Sequence, residues 1–281
     1  MKRLLTFIMI LFLLLLPCSF ISAQIISTEI PKDFDLQKNS QALRILTYNI
    51  RACRGLDDSY GLNPELVANI ISSINPDVAG IQEVDRNNTR SVGKDQIFDL
   101  AEMTNLHSYF GKAIDFAGGE YGIGALSKKS AISYRTVALP GSEEARALLE
   151  VELEDVVLFN SHLSLTSESR EEAAVIINRE VDLYQKPIVL TGDMNVSGKD
   201  EIAKLFGKRW TILSPNEASF PADTPKEQLD YILICDPTNK IPVNAPLWTE
   251  SVLKSGVIPT IASDHRPVYV DLDWGKIKSE L

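Results

Sequence analysis

The spacing of hydrophobic positions along the chain predicts alternating strands and helices. Residues 43–50 and 77–82 are mostly apolar runs, which is typical of buried strands. Between them, apolar side chains recur at helical spacing. They begin after Asn63-Pro64, an N-cap with a first-turn proline, and end before Asn75-Pro76. The body of the chain is therefore predicted to open with a strand–helix–strand unit.

The same pattern recurs downstream. Two more amphipathic helices are predicted at 95–105 and 168–183. The glycine-rich residues 118–124 are interpreted as a tight turn, because they lack the strand–loop–helix context of a nucleotide-binding loop, and His107 is assigned to a loop without a role. Since the alternation occurs twice, we expect two halves of one layered α/β domain. Further strands are predicted at 125–127, 148–153, 156–160, 187–191, 229–234 and 268–272.

Length and composition fit one large domain, and the first 23 residues indicate export. The chain has 281 residues, of which 44% are hydrophobic and 23% charged. Met1-Lys2-Arg3, the apolar residues 4–16 and the small residues up to Ala23 are typical of a secretory signal peptide, residues 1–23. A loosely held leader, residues 24–42, follows it. The protein is therefore expected to be secreted or periplasmic, and an uncleaved N-terminal anchor is the alternative.

The acidic charge limits the partners that we expect. Removal of Lys2 and Arg3 with the signal leaves 26 basic against 38 acidic side chains, so the formal net charge changes from −10 to −12. A protein that grips duplex nucleic acid must neutralise many phosphates with Lys and Arg. The balance therefore argues against tight duplex binding, but not against cation-assisted chemistry on phosphoesters.

Two cysteines, Cys53 and Cys235, remain after export, and an oxidising compartment favours a disulfide between such a pair. We do not expect one. Cys53 follows the end of the first strand, whereas Cys235 lies beyond Asp230, roughly 17 Å along its strand. If Asn49 and Asp230 share a site, the two sulfur atoms lie at opposite ends of the fold and cannot bridge.

Polar residues stand at the ends of the predicted strands and form a set of candidate functional groups. Asn49 and Glu83 offer hard oxygen donors, which suit a divalent cation such as Mg²⁺, and Asp264 can add a further contact. With three histidines in the chain and no Cys–His spacing, zinc is disfavoured. Turn formation and surface solvation are the alternative roles for Asn49 and Glu83.

Two further stretches carry acid–base chemistry. In Gly192-Asp193-Met194-Asn195 an acid can orient or deprotonate water, and an amide can donate to an oxygen that gains charge; an Asx turn is the alternative. Asp230 enters an otherwise apolar strand and needs a partner. His265 is the partner that we predict, because an acid behind an imidazole fixes its tautomer. Consecutive residues entering a strand point to opposite sides, so Asp264 and His265 can address different partners.

Six ordered motifs resemble those of the endonuclease/exonuclease/phosphatase superfamily, the metal-dependent phosphoesterases with the DNase I-like fold. The resemblance implies a domain over residues 43–275, with a C-terminal tail at 276–281. The implied fold class is α/β (α+β), a four-layer sandwich of two facing mixed β-sheets flanked by helices, with the site at one rim. The motifs are Thr47-Tyr48-Asn49-Ile50, Gln82-Glu83-Val84, Asn160-Ser161-His162-Leu163, Gly192-Asp193-Met194-Asn195, Leu229-Asp230-Tyr231-Ile232 and Ser263-Asp264-His265-Arg266-Pro267-Val268.

The resemblance also implies a role for each residue. Asn49 and Glu83 hold the metal, with Asp264 near it. The catalytic set comprises Asp193, which activates water, Asn195, which steadies the transition state, His265 oriented by Asp230, and His162 opposite. Arg146 is implied as a phosphate contact. Met194 stands where the family often has another large apolar or aromatic residue.

The sequence therefore predicts an exported Mg²⁺-dependent (or Mn²⁺-dependent) phosphoesterase that hydrolyses a phosphodiester or phosphomonoester by in-line attack of water. The substrate is a lipid, a small molecule or a nucleic acid, so endonuclease, sphingomyelinase and inositol-phosphate phosphatase activities all stay open. No obligate protein partner is expected, and the protein is expected to be a monomer. The alternatives from other classes are a noncatalytic binding protein on the same scaffold and a nucleotide-binding protein that uses the glycine-rich stretch near Gly122.

Overall fold

The computed structural model describes residues 27–281, and the predicted signal peptide lies outside the described residues. Within this part of the chain, twelve strands form two sheets. In chain order they are β1 (Ala42–Asn49), β2 (Val78–Arg86), β3 (His107–Phe116), β4 (Gly119–Ser127), β5 (Ser133–Leu139), β6 (Arg146–Glu152), β7 (Val157–His162), β8 (Ile188–Asp193), β9 (Thr211–Ile212), β10 (Asp230–Cys235), β11 (Val252–Val257) and β12 (Val268–Asp273).

The helices lie outside the sheets, and the predicted caps define the first of them. Pro64 occupies its first turn, the Asn63 side chain accepts from the Leu66 N–H, and Asn75 ends it in the left-handed region. Short 3₁₀ turns occur at Arg51–Cys53, Asp58–Tyr60 and Gly207–Arg209. The α-helices are α1 (Pro64–Ile74), α2 (Gln96–Thr104), α3 (Ser167–Val181), α4 (Lys199–Phe206), α5 (Pro246–Glu250) and α6 (Trp274–Lys278). None of the helices among residues 27–281 combines the length and the hydropathy needed to cross a bilayer.

The two sheets have the same plan. One has the strand order β11-β12-β1-β2-β4-β3, and the other has β5-β6-β7-β8-β10-β9. Each contains one parallel pair near its centre, β1 with β2 and β7 with β8, joined by α1 or α3. All other pairs are antiparallel. Both sheets are therefore mixed, as predicted.

Three apolar clusters hold the layers together. One lies between the sheets and takes residues from both, such as Ile45, Leu149 and Val270. A second packs the first sheet against α1 and α2, and a third packs the other sheet against α3 and α4. The order helix–sheet–sheet–helix confirms the predicted four-layer α/β sandwich.

Buried polar residues cross the space between the sheets beneath the ends of the parallel pairs. The Asn160 amide nitrogen on β7 donates to the backbone oxygens of Ile81 (3.0 Å) and Gly124 (2.8 Å) in the opposite sheet. Gln82 donates back to Asn160 Oδ1 at 2.7 Å. A side chain at Gly80 would lie 2.1 Å from Thr191 Oγ1, so glycine is needed there. These hydrogen bonds fix the two parallel pairs relative to each other.

The structure corrects two sequence predictions around the β3–β4 hairpin. His107 begins β3 rather than lying in a loop, and Gly119–Gly124 belong to β4 rather than to a turn. The turn is confined to Ala117 and Gly118, both at positive φ. The glycines in the strand have a packing cause, because a Cβ at Gly124 would lie 2.5 Å from Ile97 and one at Gly122 would lie 2.1 Å from the Gly111 backbone oxygen.

The described part of the leader, residues 27–41, is fastened to the domain rather than loosely held. Ile30, Phe34 and Leu36 pack against the cluster under α1 and α2. The backbone oxygen of Ser27 accepts from the Ile261 N–H at 3.0 Å, and that of Thr28 accepts from Thr260 Oγ1 at 2.6 Å. At the other end of the chain, α6 crosses the predicted start of the tail, and Ile277 is buried in the core between the sheets.

Candidate active site

The site lies where the carboxyl ends of the two parallel pairs meet. Asn49 ends β1, Glu83 lies near the end of β2, and His162 and Asp193 end β7 and β8 side by side. The antiparallel strand β10 begins at Asp230, directly opposite Asp193. The loop before β12 then brings Asp264 and His265 to the same rim, because β12 pairs with β1. The eight polar residues predicted from strand ends thus converge on one rim of the sandwich, with Asn195 just beyond β8.

Asp193 occupies the centre of this group and is 1% exposed. Its Oδ2 accepts from the Asn49 side-chain amide at 3.1 Å. The Nε2 atoms of His162 and His265 lie 3.6 Å and 3.5 Å from the same oxygen. Oδ1 accepts from the Asn195 backbone N–H at 3.0 Å, which is the Asx turn considered as an alternative. The turn and the site therefore coexist, since the turn engages only one of the two carboxylate oxygens.

Asp230 and His265 form the predicted pair. His265 Nδ1 lies 2.9 Å from Asp230 Oδ2, and Ser219 Oγ donates to the same oxygen at 2.6 Å. Burial alone would disfavour a charged ring, but the carboxylates of Asp230 and Asp193 on either side raise the pKa of His265 to about 10. The imidazole is therefore held as a cation between two acids, with a proton on each ring nitrogen.

A β-bulge delivers Glu83. The pairing of β2 with β4 shifts between Gln82 and Val84, and Glu83 adopts a φ of 59°, a rare value for a residue other than glycine. Glu83 Oε1 accepts from the Asn49 amide at 3.0 Å. Burial, with a smaller contribution from the charge of Glu83, raises the pKa of Asp264 to about 6 against the opposing effect of His265. Two carboxylates that repel each other at a half-buried rim are a suitable place for a divalent cation.

Two sets of donors could bind such a cation. Asp193, Asp230 and His265 have ligand atoms within 4.8 Å of one another. In that set, however, both ring nitrogens of His265 already face carboxylates. The oxygen set of Glu83 and Asp264 fits Mg²⁺ better, because hard carboxylate oxygens are the ligands that Mg²⁺ prefers. The Asn49 amide joins Glu83 to Asp193 through its nitrogen, while its Oδ1 accepts from the Arg51 N–H at 3.1 Å, so its role as a ligand stays a prediction.

His162, Asn195 and Arg146 complete the predicted set at the edge of the site. Burial lowers the pKa of His162 to about 4, against the effect of Asp193. The Asn195 side chain donates to the Leu163 backbone oxygen at 2.8 Å. Arg146 shares a small cleft with His162 but is paired with Glu143 (2.7 Å) and Glu144 (3.0 Å), and its buried Nε has no hydrogen-bond partner among residues 27–281.

Sequence reasoning missed three contributors. Ser219 supports Asp230, and the Phe220 ring lies 4.7 Å from that of His265, measured between centroids. Both residues lie in the connection before β10, which has no periodic pattern. Arg51 Nε lies 3.5 Å from Asp264 Oδ2. The only signal for Arg51 was its place two residues after Asn49.

A comparison with family models identifies the class of this protein. The model of the endonuclease/exonuclease/phosphatase family matches residues 46–265. The chain therefore belongs to this family, whose members hydrolyse phosphoester bonds, and is a hydrolase of phosphoric esters. No match was found among the curated proteins.

Solved structures share the fold at low sequence identity. An endonuclease/exonuclease/phosphatase from Beutenbergia cavernae has a TM-score of 0.66 at 22% identity, covering 82% of this chain and 71% of that one. TDP2 from D. rerio, complexed with a single-strand DNA product, has a TM-score of 0.61 at 14% identity, with coverages of 83% and 99%. A mannosyl-6-phosphatase from Bacteroides thetaiotaomicron has a TM-score of 0.59 at 18% identity, with coverages of 82% and 99%. The shared fold thus includes a phosphatase and a protein that binds a DNA product.

Proposed function

We propose that this protein is an exported, Mg²⁺-dependent phosphoesterase that hydrolyses a phosphodiester or phosphomonoester by in-line attack of water. The observation that carries the proposal is the environment of Asp193 Oδ2. A single carboxylate oxygen, almost fully buried, is approached by the Asn49 amide and by two imidazole nitrogens. This arrangement concentrates acid–base groups of different charge around one point at the end of a rigid strand pair.

Asp193 is the group that takes the proton from the attacking water. Its Oδ1 is fixed by the Asn195 N–H and its Oδ2 by the Asn49 amide, so the carboxylate is oriented before substrate binds. The ring of His265 cannot act as a base at neutral pH because it is already charged. Instead it stabilises the negative charge that develops on the phosphoryl oxygens, with Asp230 and Ser219 holding it in place.

His162 acts from the opposite side as a neutral ring. Burial keeps its pKa near 4, so it offers one N–H to a phosphate oxygen without adding a charge. Glu83 and Asp264, with Asn49, would hold Mg²⁺ or Mn²⁺, which offsets charge on the nonbridging oxygen and on the leaving group when bound. Arg146 and the Asn195 amide are assigned to the phosphate and to the transition state, respectively.

A hydrolysis panel tests the mechanism. Plasmid DNA, RNA, sphingomyelin, inositol phosphates and an aryl phosphodiester are each incubated with Mg²⁺ and with EDTA. We expect hydrolysis of at least one substrate that stops on chelation, and a loss on the order of 10²–10⁴-fold in Asp193→Ala and His265→Ala. Activity that survives EDTA, or a variant that matches the parent, contradicts the assignment.

Export is supported by the first 23 residues, with their basic start and apolar core. Expression of the full chain in a bacterium, followed by fractionation and N-terminal sequencing, tests it. We expect the protein in the periplasm or the medium, beginning at Gln24. A full-length chain that stays with the membrane fraction would support the retained anchor instead.

A further inference from the structure

A cleft lined by three arginines opens beside Glu83, outside the residues assigned to catalysis. Its volume is about 430 Å³, and its lining residues are Arg51, Arg54, Asp58, Glu83 and Arg90. Glu83 is shared with the proposed metal site, so the cleft adjoins that site. Neither the length of the connections nor their hydrophobic pattern predicted this concentration of guanidinium groups.

An unusual backbone turn presents the first two arginines. Arg51, Ala52 and Cys53 have φ values of 47°, 50° and 59°, a left-handed turn of three residues other than glycine. The Gln96 side chain donates to the Ala52 backbone oxygen at 2.7 Å, and the Asn63 N–H donates to that of Cys53 at 2.7 Å, which locks the turn. The position of Arg51 and Arg54 is therefore built into the fold.

Arg90 is fixed from the other side of the cleft. Asp85, whose side chain is fully buried, accepts two hydrogen bonds from its guanidinium at 2.7 Å and 2.8 Å. The same group lies 4.5 Å from the centroid of the Phe116 ring and 5.2 Å from that of Tyr121. The bidentate Asp85 and the two aromatic rings leave the Arg90 side chain little conformational freedom. A ligand that binds Arg90 therefore causes little further loss of side-chain entropy.

Asp58, at the mouth of the cleft, pairs with the arginines at the place where an anionic group of a ligand would bind, and such a group can displace it. Asp58 lies 3.1 Å from Arg51 and 3.3 Å from Arg54, yet its side chain is 74% exposed. Arg51 lines the cleft, and its Nη1 atom is buried and has no hydrogen-bond partner among the described residues. A planar guanidinium with an unused donor is suited to the tetrahedral oxygens of a phosphate.

We infer that this cleft binds a second phosphate group of the substrate, next to the phosphoester that is hydrolysed. The inference rests on the proposed function and refines it, because it makes the substrate a compound with at least two phosphates. Five residues line the cleft, and all three of its arginines are paired with acids, Arg51 and Arg54 with Asp58 and Arg90 with Asp85. These features favour a small multiply phosphorylated molecule over a polymer that needs a continuous basic track.

Matched substrates that differ by one phosphate provide the test. One pair is a nitrophenyl ester of thymidine phosphate with and without a second phosphate on the sugar. The other pair is an inositol bisphosphate and an inositol monophosphate. In the parent enzyme we expect the second phosphate to lower KM by about 10-fold. A gain confined to the inositol pair identifies a small polyphosphorylated substrate, and a gain confined to the nucleotide pair points to nucleic acid.

Variants separate the cleft from general effects on folding. Arg54→Gln and Arg90→Gln should abolish the preference for the second phosphate, whereas Asp58→Asn should enlarge it by removing the competing carboxylate. Arg86→Gln is the matched control, because Arg86 is also bound by an acid, Glu120, and also lies over a ring, Phe110, but does not line the cleft. A gain of affinity in Asp58→Asn cannot arise from misfolding.

The result that overturns the inference is a parent enzyme without preference in both pairs, or a preference that Arg54→Gln and Asp58→Asn leave unchanged. If no substrate is hydrolysed, the proposed function fails, but the cleft remains testable. Calorimetry with inositol bisphosphate in EDTA then compares the parent, Arg54→Gln and Arg86→Gln. Weaker binding in Arg54→Gln alone supports the cleft, and equal binding in all three contradicts it.

Discussion

Two histidines of the site, His162 and His265, approach the same oxygen, Asp193 Oδ2, but one ring is neutral and the other is charged. The acids beside His265 raise its pKa to about 10, although burial opposes this, whereas burial lowers the pKa of His162 to about 4. The two pKa values differ because each ring has a different charged neighbour besides Asp193. His265 has Asp230 behind it, and His162 has the positive charge of Arg146 nearby. One ring can therefore offset charge while the other only donates a hydrogen bond.

Asp230→Asn tests the support of His265. The amide keeps the shape of the carboxylate but removes its charge, so the pKa of His265 should fall and kcat should drop on the order of 10²–10⁴-fold. Histidine NMR titration of the metal-free protein measures the first effect, and steady-state kinetics measure the second. Ser219→Ala is the control and should lower kcat less than Asp230→Asn does, because it removes one hydrogen bond to Asp230 and leaves the charge of the carboxylate. Parent-like kcat in Asp230→Asn would contradict the role.

The lowered pKa of His162 also predicts a pH dependence of stability. Its pKa is about 4 in the folded protein against about 6.5 when unfolded, so the unfolded chain binds the proton more readily. The contribution of His162 is fully present above pH 6.5 and is lost as pH falls through 4, by up to about 3 kcal/mol. Urea unfolding from pH 7 to pH 4 measures it. His162→Gln should show a shallower loss over that window, and an unchanged slope would refute the assignment.

The sequence identified the chemical groups of the site better than their surroundings. Asn49, Glu83, Asp193, Asp230 and His265 were singled out because each borders a recognisable strand, and the resemblance to the family implied that they share one site. Their supports were not predicted, because the residues that hold His265 come from a long connection whose course depends on tertiary packing rather than on local pattern. Burial and neighbouring charge, which set the two histidine pKa values, are likewise invisible in one dimension.

At the level of elements, the sheets are joined by hydrogen bonds as well as by apolar contact. Asn160 on β7 and Gln82 on β2 bond across the interface beneath the site, and every such bond is buried. A buried polar group costs free energy when its partner is lost. This layer therefore makes the relative position of the two parallel pairs sensitive to small changes of backbone spacing.

Gly80→Ala is the sharpest probe of this layer. The added methyl group would lie 2.1 Å from Thr191 Oγ1 and 2.5 Å from Asn160 Oδ1, so the sheets must separate or the amide must turn. We expect a loss of about 2–4 kcal/mol in the free energy of unfolding. Gly275→Ala in α6 is the control, since the nearest atom there is 3.5 Å away, and it should be neutral or slightly stabilising. Equal free energies of unfolding in Gly80→Ala and Gly275→Ala would contradict the predicted clash between the sheets.

The central strands and three of the longer helices were predicted, whereas α4 and the strands at the edges of the sheets were not. The helices α1, α2 and α3 and the buried central strands all had a clear pattern. The edge strand β5 is exposed at most positions, and β3 is exposed or half-buried along nearly all its length. Such strands have no buried face from which a period could arise, so their place is set by the hairpin partner and not by their own residues.

At the level of the whole molecule, the two cysteines belong to separate cores. Cys53 lies in the cluster under α1 and α2, and Cys235 lies in the cluster under α3 and α4. Both are free, as predicted. Burial raises the pKa of both thiols, which keeps them in the unreactive protonated form.

A thiol count therefore reports on both folding and processing. In native protein we expect no fast reaction with a thiol reagent, because both sulfur atoms are buried. In denaturant without reductant, two thiols per chain should react if the signal peptide has been removed, and three if Cys18 is retained. Fewer than two would indicate a disulfide and would contradict the separation of the cores. Cys53→Ser, which should lower the denatured count by one, calibrates the assay.

The anchoring of Ser27 and Thr28 on residues 260 and 261 has a practical consequence for anyone who produces this protein. A fusion partner or purification handle attached in front of residue 27 therefore emerges beside the loop that leads to His265. The last residue, Leu281, borders Lys186 and Pro187, just before the end of β8 remote from Asp193. Handles and surface-immobilisation sites therefore belong at the C-terminus.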